Sequence, residues 1–369
     1  MKVLLVCSHS FKTGQTGDAT QGRETAKALR KAGVEVELLF AKLYPVHIYD
    51  DADSELSSDQ LLRLANSCDV IHLLPGSKPL CKFWRTFHVK PILASSIFWG
   101  GLERVWMAFA NCQGPIWCKI VCAIKVARNM IPLLMNYRGV DVFLPNSNAE
   151  GRCVMQCFGT DRHTTYKAVP NGFEPPSFDI WSLPRPESVP KEDYIVVPAV
   201  FACRKNQIGL IRALKKYSRD YKIVFLGGAI DEIYHNECKY SATDNMFFLG
   251  YISSKDKEYW QILRHARVAC LASDCETPGI AMIEAACAGA RPVITKYGGT
   301  EEYFGKYGEY LNPCYSKSIV SAIDRGWRRG RLHRTEADSF ARFTWDLVAA
   351  KTMAAYRYAI DTYGSGRKK

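Results

Sequence analysis

Short apolar runs alternate along this chain with longer stretches in which apolar residues recur every third or fourth position. The short runs predict buried strands at 3–6, 35–40, 70–74, 92–95 and 140–144, with a second series at 194–198, 222–226, 246–249, 268–271 and 292–295. The longer periodicity predicts helices between them, including one over about 22–32, closed by Gly33, and one over 207–217. Strands this uniformly apolar need cover on both faces, which parallel sheets wrapped by helices provide. The expectation is an α/β protein made of two doubly wound, Rossmann-like domains.

Between the two series lies Pro170-Asn171-Gly172-Phe173-Glu174-Pro175-Pro176, with further prolines up to Pro190. Proline fixes φ and removes a donor, and Asn-Gly favours a turn, so the segment reads as a domain boundary. A chain of 369 residues is long enough for two cores. The terminal Gly364-Ser365-Gly366-Arg367-Lys368-Lys369 reads as a disordered tail. In doubly wound sheets ligands sit beyond the carboxyl ends of the strands, and the loops there are where chemistry is to be sought.

One such loop stands out. Behind the strand at 268–271 comes Ala272-Ser273-Asp274-Cys275-Glu276-Thr277-Pro278-Gly279, then an apolar helix over 280–288 closed by Gly289. Thr277 reads as its N-cap and Pro278 as its first residue. Gly279 puts no side chain between backbone and ligand, and the amides of Gly279, Ile280 and Ala281 can face an anion such as a diphosphate. Glu276 stands in the loop. Glu284 falls just over one turn into a helix of apolar and small residues, where an ionised carboxylate is costly without hydrogen-bond partners. Ribose hydroxyls would serve as partners. An Arg from elsewhere would serve equally, and the segment would then be only a capped helix on a sheet.

Seven residues separate Glu276 from Glu284, and the frame Glu276-x-Pro278-Gly279-x4-Glu284-Ala285 resembles the E-x7-E motif of the retaining, GT-B-fold glycosyltransferases of family 4, the group 1 glycosyltransferases. Pro170-Asn171-Gly172 is similar to that family's interdomain motif, and Lys205-Asn206 to its Lys-Asn pair after the first strand of the second domain. Gly298-Gly299-x-x-Glu302, the stretch 307–313, and Phe343-Thr344-Trp345-Asp346 with Tyr356 resemble the loop, strand and C-terminal helix that follow.

The resemblance runs from about residue 140 to the end. It implies two domains facing across a cleft: an acceptor side over 1–172 and a nucleotide-sugar donor domain over 173–345, with a C-terminal helix over 346–369 crossing back to the first. It implies Lys205 on the donor diphosphate, Glu276 on the sugar hydroxyls and Glu284 on the ribose. Gly279, Ile280 and Ala281 would lie near phosphate or sugar, and Gly250 and Tyr251 near the nucleobase. The family's first loop approaches the diphosphate, which brings in Gly14, Thr16 and Gly17. No metal and no cofactor is implied, because cationic side chains and helix dipoles stabilise the departing diphosphate. Two positions depart from the pattern. Val200 stands where the family usually has an Arg, with Arg204 as its substitute, and 94–99 lacks the His that many members carry after the fourth strand.

Composition bounds the partners. A net charge of +12 suggests an acidic one, whether nucleotide phosphate, anionic lipid or nucleic acid. The 14 cysteines are scattered without a CxxC pair, which reads as reduced thiols of a cytosolic protein. No run approaches the roughly 18 apolar residues of a membrane span, and Ser8, His9 and Ser10 cut the first apolar run too short for a signal peptide. Asp51-Ala52-Asp53 matches a D-x-D metal motif, but sits in a polar stretch with no strand expected before it and reads as a solvated loop. The loop at 13–17 lacks a full G-x-G-x-x-G, so a nicotinamide cofactor is not expected. Segments 78–90 and 99–137 interleave basic residues with rings such as Trp84, Trp106 and Trp117, which suits a membrane interface, nucleic acid, or a buried helix with a basic edge. The cluster from Arg325 to Arg334 reads as a solvated helix end.

The resemblance thus implies a cytoplasmic hexosyl-type transferase, peripheral at the inner face of a membrane, that retains configuration. A UDP-sugar is favoured over a GDP-sugar, and the acceptor would be a glycan or lipid-linked saccharide. Glycosylation of a modified base in DNA stays open as an alternative, as does a non-catalytic sugar-nucleotide-binding protein or an epimerase on the same fold.

Overall fold

The computed structural model describes residues 1–9, 17–43, 46–74, 90–98, 139–158 and 164–366, with separate positions between 109 and 127. The chain forms two compact units, one of 1–172 with 344–369 and one of 173–343.

The first unit is built on β1 (Lys2–Ser8), β2 (Glu35–Leu43), β3 (Val46–Tyr49), β4 (Val70–Leu73), β5 (Ile92–Ser96), β6 (Val142–Pro145) and β7 (Thr165–Tyr166), in the spatial order β3-β2-β1-β4-β5-β6-β7. Neighbours run parallel, except that β3 runs antiparallel to β2 with Phe40 opposite Tyr49. Alternate residues of β1 feed two cores: Val3 and Leu5 on one face, Leu4 and Val6 on the other. Helices α1 (Gly17–Lys31), α2 (Ser58–Ser67) and α3 (Asn148–Phe158) accompany the sheet. Helix α1 begins five residues before the expected 22, with Gly17 as its first residue.

The strand β3 corrects the reading of the D-x-D motif. A strand does lead into Asp51-Ala52-Asp53, because Val46-His47-Ile48-Tyr49 pairs along the edge of the sheet. The loop itself is exposed as expected, and it is a local turn: Asp53 N–H donates to the Asp50 carbonyl at 3.2 Å, and Ser54 N–H to Asp50 Oδ1 at 2.8 Å. Among the described residues no group of three or more His, Cys, Asp or Glu is placed to hold a metal ion.

The second unit holds β8 (Tyr194–Pro198), β9 (Lys222–Leu226), β10 (Met246–Gly250), β11 (Val268–Leu271), β12 (Arg291–Thr295) and β13 (Glu309–Leu311), all parallel in the order β10-β9-β8-β11-β12-β13. The helices are α4 (Gln207–Lys216), α5 (Glu232–Ser241), α6 (Lys257–His265), α7 (Ile280–Cys287), α8 (Thr300–Phe304), α9 (Ser316–Arg329) and α10 (Arg334–Asp338). Val196, Val224, Ala269 and Ile294 face a core shared with α6 and α7. Ile195, Ile223, Cys270 and Val293 face the one shared with α4 and α9. The chain runs outward from β8 to β10 and then returns to the other side of β8 with β11. That reversal opens a crevice at the carboxyl ends of β8 and β11, the place where doubly wound sheets bind ligands.

The basic cluster at the end of α9 is not simply solvated. Arg325 Nε and Arg329 Nη1 each donate to Glu309 at 2.7 Å, which ties α9 to β13. The described cysteines form no disulfide, and Cys7, Cys68, Cys238, Cys270 and Cys287 are buried.

The last helix, α11 (Trp345–Gly366), belongs to the first unit and extends three residues into the stretch expected to be a disordered tail. Trp345, Val348, Tyr356 and Ala359 join the core beside α1, and Lys31 pairs with Asp346 at 2.9 Å. A polar bridge runs through that core: His72 Nδ1 lies 2.7 Å from the Tyr356 hydroxyl and its Nε2 lies 2.9 Å from Ser95 Oγ. Burial pushes the His72 imidazole down to about 3, so it is neutral and links β4, β5 and α11 by hydrogen bonds alone.

Candidate active site

Lys205 and Glu276, singled out in the sequence, meet at the strand-order reversal. After β8 the chain makes a 3₁₀ turn, Cys203–Lys205, and Asn206 follows in the left-handed region at φ 53°. The Asn206 side chain donates to the Ala272 carbonyl at 3.1 Å and the Pro313 carbonyl at 3.3 Å, and Asp274 N–H donates to the Arg204 carbonyl at 3.0 Å. These bonds clip the loop after β8 to the loops after β11 and β13. Gly209 makes room for them, since a β-carbon there would collide with the Asn206 carboxamide.

Lys205 Nζ meets Glu276 Oε1 at 2.5 Å, and Ser273 Oγ donates to the same oxygen at 2.6 Å. Burial pulls the Glu276 carboxyl upward. The charge and hydrogen bond of Lys205, the Ser273 hydroxyl and the charge of Arg204 outweigh it and leave the group below the ordinary carboxylate value. Glu276 is therefore an ionised carboxylate, almost fully buried, against a cation.

The backbone of Glu276 is held by the loop after β12. Glu276 N–H donates to the Tyr297 carbonyl at 3.1 Å, and Gly299 N–H to the Glu276 carbonyl at 3.0 Å. Between them Gly298, at φ 105°, pairs with Glu276 in a parallel bridge. A β-carbon on Gly298 would fall well inside contact distance of the Glu276 carbonyl. Gly298-Gly299 thus fixes the depth at which Glu276 sits.

The expected cap on α7 is wrong. Thr277 and Pro278 lie outside the helix, joined by a cis peptide bond, and Gly279 is the residue that enters it, at φ 80°. Gly279's positive φ, which L side chains rarely adopt, re-aims the chain so that the helix starts at Ile280. The Gly279 carbonyl accepts from Met282 N–H at 2.9 Å. The amides of Ile280 and Ala281 stand at the helix N-terminus, where no intrahelical acceptor reaches them.

Glu284 lies on the first turn and a half of α7 and is buried. Its partner within the protein is not an Arg: the Tyr259 hydroxyl on α6 donates to Glu284 Oε2 at 2.5 Å. Burial raises the Glu284 carboxyl to about 7, with the Tyr259 bond pulling the other way. No spacing rule in the sequence points to Tyr259, which stands 25 residues away on another helix.

Gly250 ends β10 at φ 76°, with its carbonyl accepting from Gly227 N–H at 2.8 Å, and Tyr251 beyond it is 58% exposed. Gly227 and Gly228 pass tightly between the end of β8 and Tyr251, since a β-carbon on Gly227 would strike the Ala199 carbonyl. A Gly-Gly pair directly behind a strand is the signal that would have found them. Val200 offers no cation; its carbonyl accepts from the Gln207 side chain at 2.9 Å. Gly14 and Thr16 lie outside the described residues.

Residues 180–330 match the family model of the glycosyl transferases group 1. The chain is 25% identical over 218 residues to an uncharacterized glycosyltransferase of Methanocaldococcus jannaschii, a match covering 54% of this chain and 55% of that protein. It resembles, at 16% identity and a TM-score of 0.66, sucrose-phosphate synthase of Thermosynechococcus elongatus, over 98% of this chain and 100% of the other. A second resemblance is to Anabaena Alr3699/HepE in complex with UDP-glucose, at 17% identity and a TM-score of 0.63, over 96% of this chain and 100% of the other. At such identities these structures establish the fold. The chain is similar to the group 1 glycosyl transferases over 180–330, and it has the GT-B fold over its whole length.

Proposed function

We propose that this chain moves a sugar from a nucleotide-sugar donor to an acceptor hydroxyl, with retention of configuration. The observation that carries the reading is the Lys205–Glu276 pair at the strand-order reversal, beside the N-terminus of α7. In this reading Lys205 and the amides of Ile280 and Ala281 take the donor diphosphate, and Arg204 adds charge at the rim. Glu276 then accepts hydrogen bonds from the sugar. Glu284 receives the ribose hydroxyls, and the base lies against Gly250 and Tyr251. Because positive charge is already in place where the diphosphate leaves, little reorganisation is needed during transfer. The departing diphosphate, on the same face as the incoming hydroxyl, takes its proton.

A UDP-sugar is the favoured donor, supported by the UDP-glucose complex of the Anabaena protein. The acceptor in this reading is a glycan or a lipid-linked saccharide. Thermal-shift measurements against UDP-, GDP-, ADP- and CMP-sugars test the donor half. Stabilisation by one class, with nucleoside diphosphate released only when an acceptor glycan is added, is the expected result. Stabilisation by none of them would sink the reading, and release without acceptor would favour a hydrolase or epimerase instead.

A further inference from the structure

We propose that the helical stretch around Ile120 seats the first unit on the surface of an anionic bilayer. Ile116, Trp117, Lys119, Ile120, Val121, Ala123, Ile124 and Ala127 are helical, and Lys119 N–H donates to the Pro115 carbonyl at 3.3 Å. Ile116, Trp117, Ile120, Val121 and Ile124 are exposed by 62, 64, 47, 55 and 60%. At helical spacing these five fall within one arc of roughly 140°. Lys119 and Ala123, both half-buried, lie outside the arc. Single apolar residues on a surface are ordinary, but a contiguous face of five is a docking surface.

Charge identifies the occupant. The sequence from 75 to 138 holds nine Lys and Arg against a single acidic residue, Glu103, and so carries +8 of the chain's +12. A second copy of this chain would bring two such segments together and be repelled. Nucleic acid would satisfy the charge, but only Trp117 of the five offers a ring or a donor, and the three isoleucines and the valine give its bases nothing to stack on. A bilayer satisfies both: acyl chains bury the aliphatic face, Trp117 sits at the headgroup boundary, and lysines meet anionic headgroups. The seating proposed is in the plane of the bilayer, with the apolar arc inward and Lys119 and Ala123 outside it. The proposal does not depend on the transfer reaction.

The test is co-sedimentation of the full chain with phosphatidylcholine vesicles, with and without phosphatidylglycerol, across a sodium chloride series. Duplex DNA binding is measured alongside. Binding to the anionic vesicles that weakens with salt is expected, and the double variant Ile120→Glu/Ile124→Glu should lower it by roughly tenfold or more. Because both side chains are exposed, the variant's melting temperature should match that of the unaltered chain, which separates lost docking from lost folding. Absence of binding to anionic vesicles at low salt would overturn the proposal. So would equal binding by the variant, or duplex DNA bound more tightly than vesicles.

Discussion

Tyr259 donates a hydrogen bond to Glu284 at 2.5 Å inside the core of the second unit. The acid it holds titrates at about 7, whereas an unfolded Glu titrates near 4.5. Between those values the folded protein binds the extra proton, so this group's contribution to stability falls as pH rises, by about 3 kcal/mol in all. Glu284→Gln should remove that slope, which thermal melts from pH 5 to 8 would reveal. If Glu284 receives the ribose as proposed, the hydroxyls donate to its carboxylate form, so donor affinity should strengthen as pH rises through about 7 and weaken below it. Tyr259→Phe, which deletes the bond favouring the ionised form, should move that transition to higher pH. An unshifted transition would detach Tyr259 from the site.

Lys205 and Glu276 should behave asymmetrically when removed. Lys205→Met leaves an almost fully buried carboxylate with Ser273 and a distant Arg204 charge, at a cost of about 3 kcal/mol. Glu276→Gln leaves a flexible ammonium that can turn to water, and should cost less. Both should abolish transfer. Pairing holds Glu276 below its ordinary value, so its stabilisation is present above about 4.5 and lost as pH falls through the folded value. Urea melts of the single and double variants at pH 7 and 4 would measure the coupling.

Gly298→Ala should inactivate without touching a ligand-facing atom. The added methyl strikes the Glu276 carbonyl and forces a strained positive φ, so a loss of about 1–3 kcal/mol is expected. Displacing Glu276 by even a fraction of an ångström should lower kcat by about 100-fold. Gly33→Ala has open space around its β-carbon, suffers only the φ penalty and lies outside the site, so it serves as the control.

Tyr356→Phe should loosen the C-terminal helix. It leaves one nitrogen of a fully buried His72 without its partner, a cost of about 1–3 kcal/mol. Hydrogen exchange in α11 should quicken while exchange in the second unit is unchanged. Because His72 titrates near 3 when folded and 6.5 when unfolded, its contribution to stability is lost as pH falls from 6.5 toward 3.

Much of the second unit was legible because its strands are short, wholly apolar and sharply bounded. The strands 194–198, 222–226 and 268–271 lie where the pattern put them. The strand β3 was not, because it is four residues long and includes a histidine, and of His47, Ile48 and Tyr49 only Ile48 is deeply buried. The entrance to α7 was misread because Thr-Pro imitates a cap, while the residue that turns the chain is Gly279, whose φ a sequence does not display. Glu284 was recognisable as an anomaly by its apolar surroundings. Its partner was not, since a contact between two helices leaves no local trace. Lys205 and Glu276 belong to separate loops, and only the order of strands brings them together.

The first unit is interrupted: the chain leaves it at Gly172 and re-enters at Thr344. During synthesis the whole of 173–343 therefore emerges before α11 exists. Until then Val348, Tyr356 and Ala359 have not filled their places beside α1, and the apolar side of the earlier sheet they cover stands open to chaperones and to aggregation. The second unit can mature on its own, whereas the first must wait for its closing helix to be made.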